Sequence, residues 1–133
     1  MLKILVVEDE FISRVLLIEM MAAYGVCHVA VDGREAMDAL HRSFDHDERY
    51  DLVCLDIMMP EMDGQEVLTE IRTLEWQRGL SGRDATKVIM TTVLNDSQSI
   101  MKAFTEGRCE AYLTKPIDRL KLIATLRDLN LIE

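Results

Sequence analysis

The chain has 133 residues and a net charge of −9, with 49% hydrophobic and 29% charged residues. That composition excludes a disordered chain and fits one ordinary domain with its own core. The acidic balance argues against a nucleic-acid surface, which needs clustered Lys and Arg; it permits a divalent cation, and no apolar run approaches the roughly 18 residues of a membrane span.

The opening stretch, "MLKILVVEDE", reaches acids too early for a secretory signal. A cytoplasmic protein is expected. Cys27, Cys54 and Cys109 lack C-x-x-C spacing and read as reduced, mostly buried thiols.

Short apolar runs alternate with longer helical patterns. "KILVV" (3–7) is predicted as a strand, and "EFISRVLLIEMMAAYG" (10–25) as a helix closed by Gly25. "CHVAV" (27–31) is a second strand. "GREAMDALHRSF" (33–44) is a helix with Ala36, Met37, Leu40 and Phe44 on one stripe. "DLVCL" (51–55) is a third strand, apolar on both faces. "GQEVLTEIRTLEW" (64–76) is a helix turning Val67, Leu68, Ile71 and Leu74 inward. After a Gly- and charge-rich loop (77–86) come a fourth strand, "KVIMTT" (87–92), and a helix from about Asp96 to Glu106 ended by Gly107. "AYLT" (111–114) is the fifth strand and "IDRLKLIATLRDL" (117–129) the last helix.

Five βα units with apolar strands predict an α/β fold: a doubly wound, five-stranded parallel sheet covered on both faces. In such sheets ligands bind beyond the carboxyl ends of the strands. The polar oddities of this chain fall at those ends. Glu8 and Asp9 follow the first strand, Asp56 ends the third, Thr91 and Thr92 end the fourth, and Lys115 and Pro116 follow the fifth. Each alone has a plain structural reading. The acids could cap the next helix, the threonines could reflect strand propensity, and Lys115-Pro116 could be a turn. Together they supply what phosphoryl transfer to a carboxylate needs. Three acids in one mouth call for a cation, and hard oxygen ligands beside a phosphate point to Mg²⁺. Asp56, on the central strand, is the candidate nucleophile.

"VVEDE", "LDIMMPEMDG", "VIMTT" and "YLTKPI" resemble the receiver domain of bacterial two-component response regulators, of the chemotaxis-type single-domain kind, over about residues 3–129 and with a flavodoxin-like (βα)5 fold. The resemblance implies one receiver domain over 1–133 that accepts phosphate on Asp56 from a histidine kinase or phosphotransfer protein. It implies Mg²⁺ held by Glu8, Asp9, Asp56 and the Met58 carbonyl. It implies Thr92 and Lys115 as phosphate readers, Tyr112 as the switch aromatic, and a cis bond before Pro116. Phosphorylation would shift the face made by the fourth helix, fifth strand and fifth helix, and so control an unknown downstream protein, with no role for nucleic acid or membrane in this domain.

The chain departs from the family pattern in places. Thr91 and Thr92 compete for one role, and alignment of "VIM" favours Thr92. "GRCEAY" is one residue longer than usual, loop 77–86 is long, and Val93 replaces a small residue and should crowd the site or restrict the following loop. With only "NLIE" after the last helix, output is expected through another protein unless the chain is a fragment. The rival is an aspartate-nucleophile phosphatase, which needs an acid two residues after its nucleophile; Met58 stands there. A third reading is a phosphorylation-independent docking module, which should lack a key group. The first helix is apolar over most of its circumference, so either a neighbouring helix covers the excess or the excess is a docking patch.

Overall fold

The computed structural model describes residues 1–59, 62–80, 82–93, 101 and 109–133. Its strands are β1 (Leu2–Val7), β2 (Gly25–Ala30), β3 (Leu52–Asp56), β4 (Lys87–Thr92) and β5 (Ala111–Thr114). All pair in parallel, in the order β2-β1-β3-β4-β5. Helices α1 (Phe11–Met21), α2 (Gly33–Asp45), α3 (Gly64–Gln77) and the C-terminal α4 (Arg119–Asp128) flank the sheet. The expected helix 96–106 and its terminator Gly107 lie outside the described residues apart from Met101, which is exposed.

Alternation along the strands divides the core into two layers. Leu5, Val7, Val53, Leu55, Val88 and Met90 face α2 and α3, whose Ala36, Leu40, Phe44, Val67, Leu68, Ile71 and Leu74 close over them. Ile4, Val6, Leu52, Cys54 and Ile89 face the other way, against Leu17 and Met21 of α1 and Leu122 and Leu126 of α4. Both faces of β1 from Ile4 to Val7 and of β3 from Leu52 to Leu55 are therefore dry, which is why those stretches run apolar without a break.

The first helix is shorter than the sequence suggests. It ends at Met21 with Ala22 as its C-cap, and Gly25 opens β2 beside Leu2 instead of closing the helix. A Cβ on Gly25 would strike the Leu2 carbonyl and come within 2.9 Å of Ile4 Cδ1, so glycine lets the edge strand lie close against β1. The excess apolar surface of α1 is not covered by a neighbour among the described residues. Phe11, Ile12 and Leu16 stay 66%, 63% and 46% exposed while Leu17 is buried.

The elongated stretch before β5 does not displace the strand, which begins at Ala111. Arg72 of α3 anchors that region. Its guanidinium donates to Glu75 at 2.8 Å, to the Thr86 carbonyl at 2.9 Å and to both Glu110 oxygens at 3.0 and 3.1 Å. Glu75 and Glu110 in turn each accept a backbone N–H, from Thr86 and Val88, at 2.6 Å. Every charge of this half-buried cluster has a partner, the condition under which such a cluster is tolerated.

Candidate functional site

The strand order reverses between β1 and β3: the chain runs outward from β1 to β2, then crosses back. That switch point opens a crevice at the carboxyl ends of two adjacent strands, and Glu8, Asp9 and Asp56 stand on its two sides.

Glu8 and Asp9 are not spent on capping. Glu10 does that work, accepting from Ile12 N at 3.3 Å and Ser13 N at 2.6 Å. Glu8 and Asp9 are left for the mouth. Glu8 is pinned to the sheet by its N–H to the Ala30 carbonyl (3.0 Å), and Arg14 Nη1 donates to the carbonyls of Glu8 (3.1 Å) and Asp9 (3.4 Å). Asp56 is buried at 4% exposure, with its Oδ1 accepting the Met58 N–H at 3.1 Å. That bond turns the chain sharply after the strand. Asp63 caps α3 through Glu66 N at 3.0 Å, and Gly64 N reaches back to the Ile57 carbonyl at 3.0 Å. A Cβ on Gly64 would collide with the Asp56 carbonyl, so only glycine lets α3 start this close to the acceptor residue. The intervening Pro60 and Glu61 lie outside the described residues.

Glu8, Asp9 and Asp56 each place a carboxylate oxygen within 4.8 Å of the others'. Lys115, following β5, sends its ammonium to Asp56 Oδ2 at 3.1 Å and to Glu8 Oε1. Burial and then the Asp56 carboxyl push Glu8 up to about 7, against the partial relief that Lys115 provides. Burial works against the charge on Lys115, but Glu8 and Asp56 outweigh it and raise it above its ordinary value. Glu8 Oε2 is buried and has no hydrogen-bond partner among the described residues. A buried, unsatisfied carboxylate oxygen costs free energy, and a hard cation between Glu8, Asp9 and Asp56 would satisfy it. The donor set is all oxygen, as Mg²⁺ requires.

The remaining candidates sit around this centre. β4 registers Thr91 beside Asp56 and Thr92 one step farther, beside Thr114. Both threonines are buried, and the Thr92 carbonyl accepts the Lys115 N–H at 2.8 Å. The Lys115–Pro116 peptide is cis. Tyr112, 40% exposed, lines a cleft of about 330 Å³ with Lys115, Pro116, Asp118 and Lys121. Val93 is 65% exposed, and Leu94 lies outside the described residues. A larger depression of about 820 Å³ lies at the opposite end of the sheet, among Asp51, Asp84, Lys87 and Leu129, with none of the acidic-mouth residues in it. The three thiols are free, and burial raises all of them above the ordinary thiol range, which makes them poor nucleophiles. The sequence reading missed Arg14 and the cap at Glu10. The only available signal was their place at the start of the helix that follows the acids.

The family model of the response regulator receiver domain matches residues 4–127. The chain is 34% identical over 128 residues to response regulator MprA of Mycolicibacterium vanbaalenii, covering 96% of this chain and 49% of that protein. It is 32% identical over 128 residues to the osmosensing histidine protein kinase SLN1 of Saccharomyces cerevisiae, covering 95% of this chain and 10% of that protein. It thus spans half or less of the length of these relatives. Among solved structures, the receiver domain of the histidine kinase CKI1 from Arabidopsis thaliana, complexed with Mg²⁺ and BeF₃⁻, superposes with a TM-score of 0.84 at 25% identity, covering 97% of this chain and 89% of that one. No helix among the described residues is long and apolar enough to cross a membrane. With the parallel sheet, its switch point and the acid–lysine cluster in place, the chain belongs to the response regulator receiver domains of two-component systems.

Proposed function

We propose that residues 1–133 form one receiver domain, acting in the cytoplasm, that takes a phosphoryl group on Asp56 from the phosphohistidine of a histidine kinase or phosphotransfer protein. The observation that carries this reading is the unsatisfied Glu8 Oε2 in a cluster with Asp9 and Asp56, whose Glu8 Oε1 and Asp56 Oδ2 are paired to the Lys115 ammonium. Glu8, Asp9, Asp56 and the Met58 carbonyl would hold Mg²⁺, which supplies charge neutralisation for the incoming phosphoryl group. The CKI1 receiver with Mg²⁺ and BeF₃⁻ supports this assignment by analogy.

A carboxylate oxygen of Asp56 attacks phosphorus; the P–O bond forms as the P–N bond to the donor imidazole breaks, and the imidazole leaves neutral, keeping the proton already on its other ring nitrogen. The chain's part is positioning and electrostatics. The Met58 N–H orients the carboxylate, and Lys115, already 3.1 Å from Asp56, is placed to pair with a phosphoryl oxygen. Thr92 donates its hydroxyl to another. Tyr112, at the cleft beside Lys115, is the aromatic that reports this change to the β5 surface and to a downstream protein.

We read the domain as a phospho-acceptor and not a dedicated turnover enzyme. The residue two after Asp56 is Met58, whose side chain cannot transfer a proton. Incubation with Mg²⁺ and acetyl phosphate followed by intact mass tests the reading. A stable gain of one phosphoryl group, lost in Asp56→Asn, is the expected result. Steady release of inorganic phosphate would support the phosphatase instead, and an unchanged mass would support a docking module.

A further inference from the structure

We propose that Arg14 is a positioning residue for the cation site: its guanidinium holds the Glu8 and Asp9 carbonyls and thereby aims the Asp9 carboxylate into the mouth. This rests on the Mg²⁺ reading above and concerns how this chain prepares for the ion.

The three acids are restrained very unequally. Asp56 is buried on β3 and tied to the Met58 N–H; Glu8 is buried and gripped by Lys115. Asp9 is exposed, and its carboxylate has no hydrogen bond or ion pair among the described residues. Its place depends on the backbone between Glu8 and Glu10. That segment is fixed from one side by Glu8 N to Ala30 O at 3.0 Å and from the other by the Glu10 cap. Arg14 Nη1 closes the remaining gap by donating to both carbonyls, at 3.1 and 3.4 Å. The guanidinium is itself held. It rests on the Phe11 ring at 5.5 Å, and the Arg14 N–H donates to the Glu10 carbonyl at 3.0 Å. Loop, cap and helix thus form one closed circuit through Arg14, and a ligand set assembled in advance binds a metal more tightly than one that must be ordered on binding.

Charge and geometry predict opposite signs, which makes the inference sharp. Arg14 is a permanent cation. If it acted only through its charge it would repel Mg²⁺, and removing it would tighten binding. If it acts by holding the loop, removing it weakens binding. The experiment is a titration with Mg²⁺ alone, without phosphodonor, following the amide resonances of residues 8–10 and 57–58 in the whole chain. Arg14→Ala is expected to raise the Mg²⁺ dissociation constant by about tenfold, the usual scale for a lost supporting partner at a metal site. Arg14→Gln, neutral but still a donor, should fall between Ala and the parent. Phe11→Ala, which removes only the surface under the guanidinium, should weaken binding less than Arg14→Ala does. Metal-free melting temperatures check that each variant is folded; if Arg14→Ala is not, the Gln and Phe11 variants decide. Binding that is unchanged or tighter in the folded Arg14 variants overturns the inference, provided Asp9→Asn still abolishes the Mg²⁺ shifts. A parent chain with no saturable Mg²⁺ shifts would overturn the cation reading and this inference with it.

Discussion

Lys115 places its ammonium 3.1 Å from Asp56 Oδ2 while also contacting Glu8 Oε1, so one cation from the end of β5 bridges carboxylates delivered by β1 and β3. The side chains of Lys115, Glu8 and Asp56 are 12%, 2% and 6% exposed. Water screens these charges little, and without Mg²⁺ the lysine is the main compensation the two acids have.

Lys115→Met removes that compensation. The metal-free protein is expected to lose about 1–3 kcal/mol in urea denaturation, the cost of leaving buried polar or charged groups without a partner. Saturating Mg²⁺ should return a substantial part of it, because the ion takes over the neutralising role. Labelling by acetyl phosphate should fall sharply even at saturating Mg²⁺. Equal losses with and without Mg²⁺ would show that lysine and ion do not share the same acids.

Glu8 gives the site a pH signature. Its ordinary value of 4.5 is raised to about 7, first by burial and then by Asp56. The folded chain therefore holds this proton more tightly than the unfolded chain does. The stability so gained is full below about 4.5 and lost as pH rises through about 7. In metal-free melts, Glu8→Gln should match the parent near pH 5 and exceed it by pH 8, since Gln resembles the protonated acid at every pH. The raised value of Lys115 belongs to the alkaline range and does not enter this window. A parent and variant that keep the same gap from pH 5 to 8 would refute the assignment.

Helix α1 has two faces with different duties. Leu17 is buried against the sheet, and Leu17→Ala should cost about 2–5 kcal/mol through lost burial and the cavity left behind. Ile12 and Leu16 are 63% and 46% exposed. Changing both to Ser should alter stability by only about 0.5 kcal/mol. An exposed apolar patch of this kind suits the docking of a protein partner. The double Ser variant should accordingly slow transfer from a phosphotransfer protein and leave labelling by acetyl phosphate unchanged. A decline with both donors would place the effect in the chemistry, not in docking.

The lifetime of the phosphorylated form should reflect what flanks it. Hydrolysis needs a water in line with phosphorus, opposite the leaving carboxylate. Met58, two residues after Asp56, is 56% exposed beside the mouth and cannot orient water through its side chain. Leu94, two after Thr92, is equally apolar. Slow loss of phosphate is expected. Met58→Asn with Leu94→Glu should accelerate it, within the roughly 10²–10⁴-fold that a positioned base supplies. Phosphate loss followed by intact mass checks this; an unchanged half-life would mean that apolar exclusion of water does not set the rate.

Much of this was legible from local pattern. Strands buried on both faces must be apolar throughout, so "KILVV" and "DLVCL" announced the middle of a parallel sheet. The stripe Val67, Leu68, Ile71 and Leu74 announced a helix packed on one side, and all four are in the core. The acids, threonines and lysine were readable as a set because each ends or follows a strand, and a parallel sheet turns every strand end toward the same edge.

Other assignments required the fold. Gly25 reads as a helix stop in sequence, yet it serves strand pairing, because what matters is the Leu2 carbonyl that a Cβ would strike. No local rule says which of three consecutive acids caps α1; Glu10 takes the cap, and Glu8 is left in the mouth with a buried, unpartnered oxygen. The bridge from Lys115 to Glu8 joins residues 107 positions apart. Sequence determined which groups the chain brings to one edge of its sheet, since that follows from periodicity and strand direction. Only the tertiary structure decided which are paired, which are left unsatisfied and which, like Arg14, hold the others in place, because those depend on distances between side chains that no local pattern encodes.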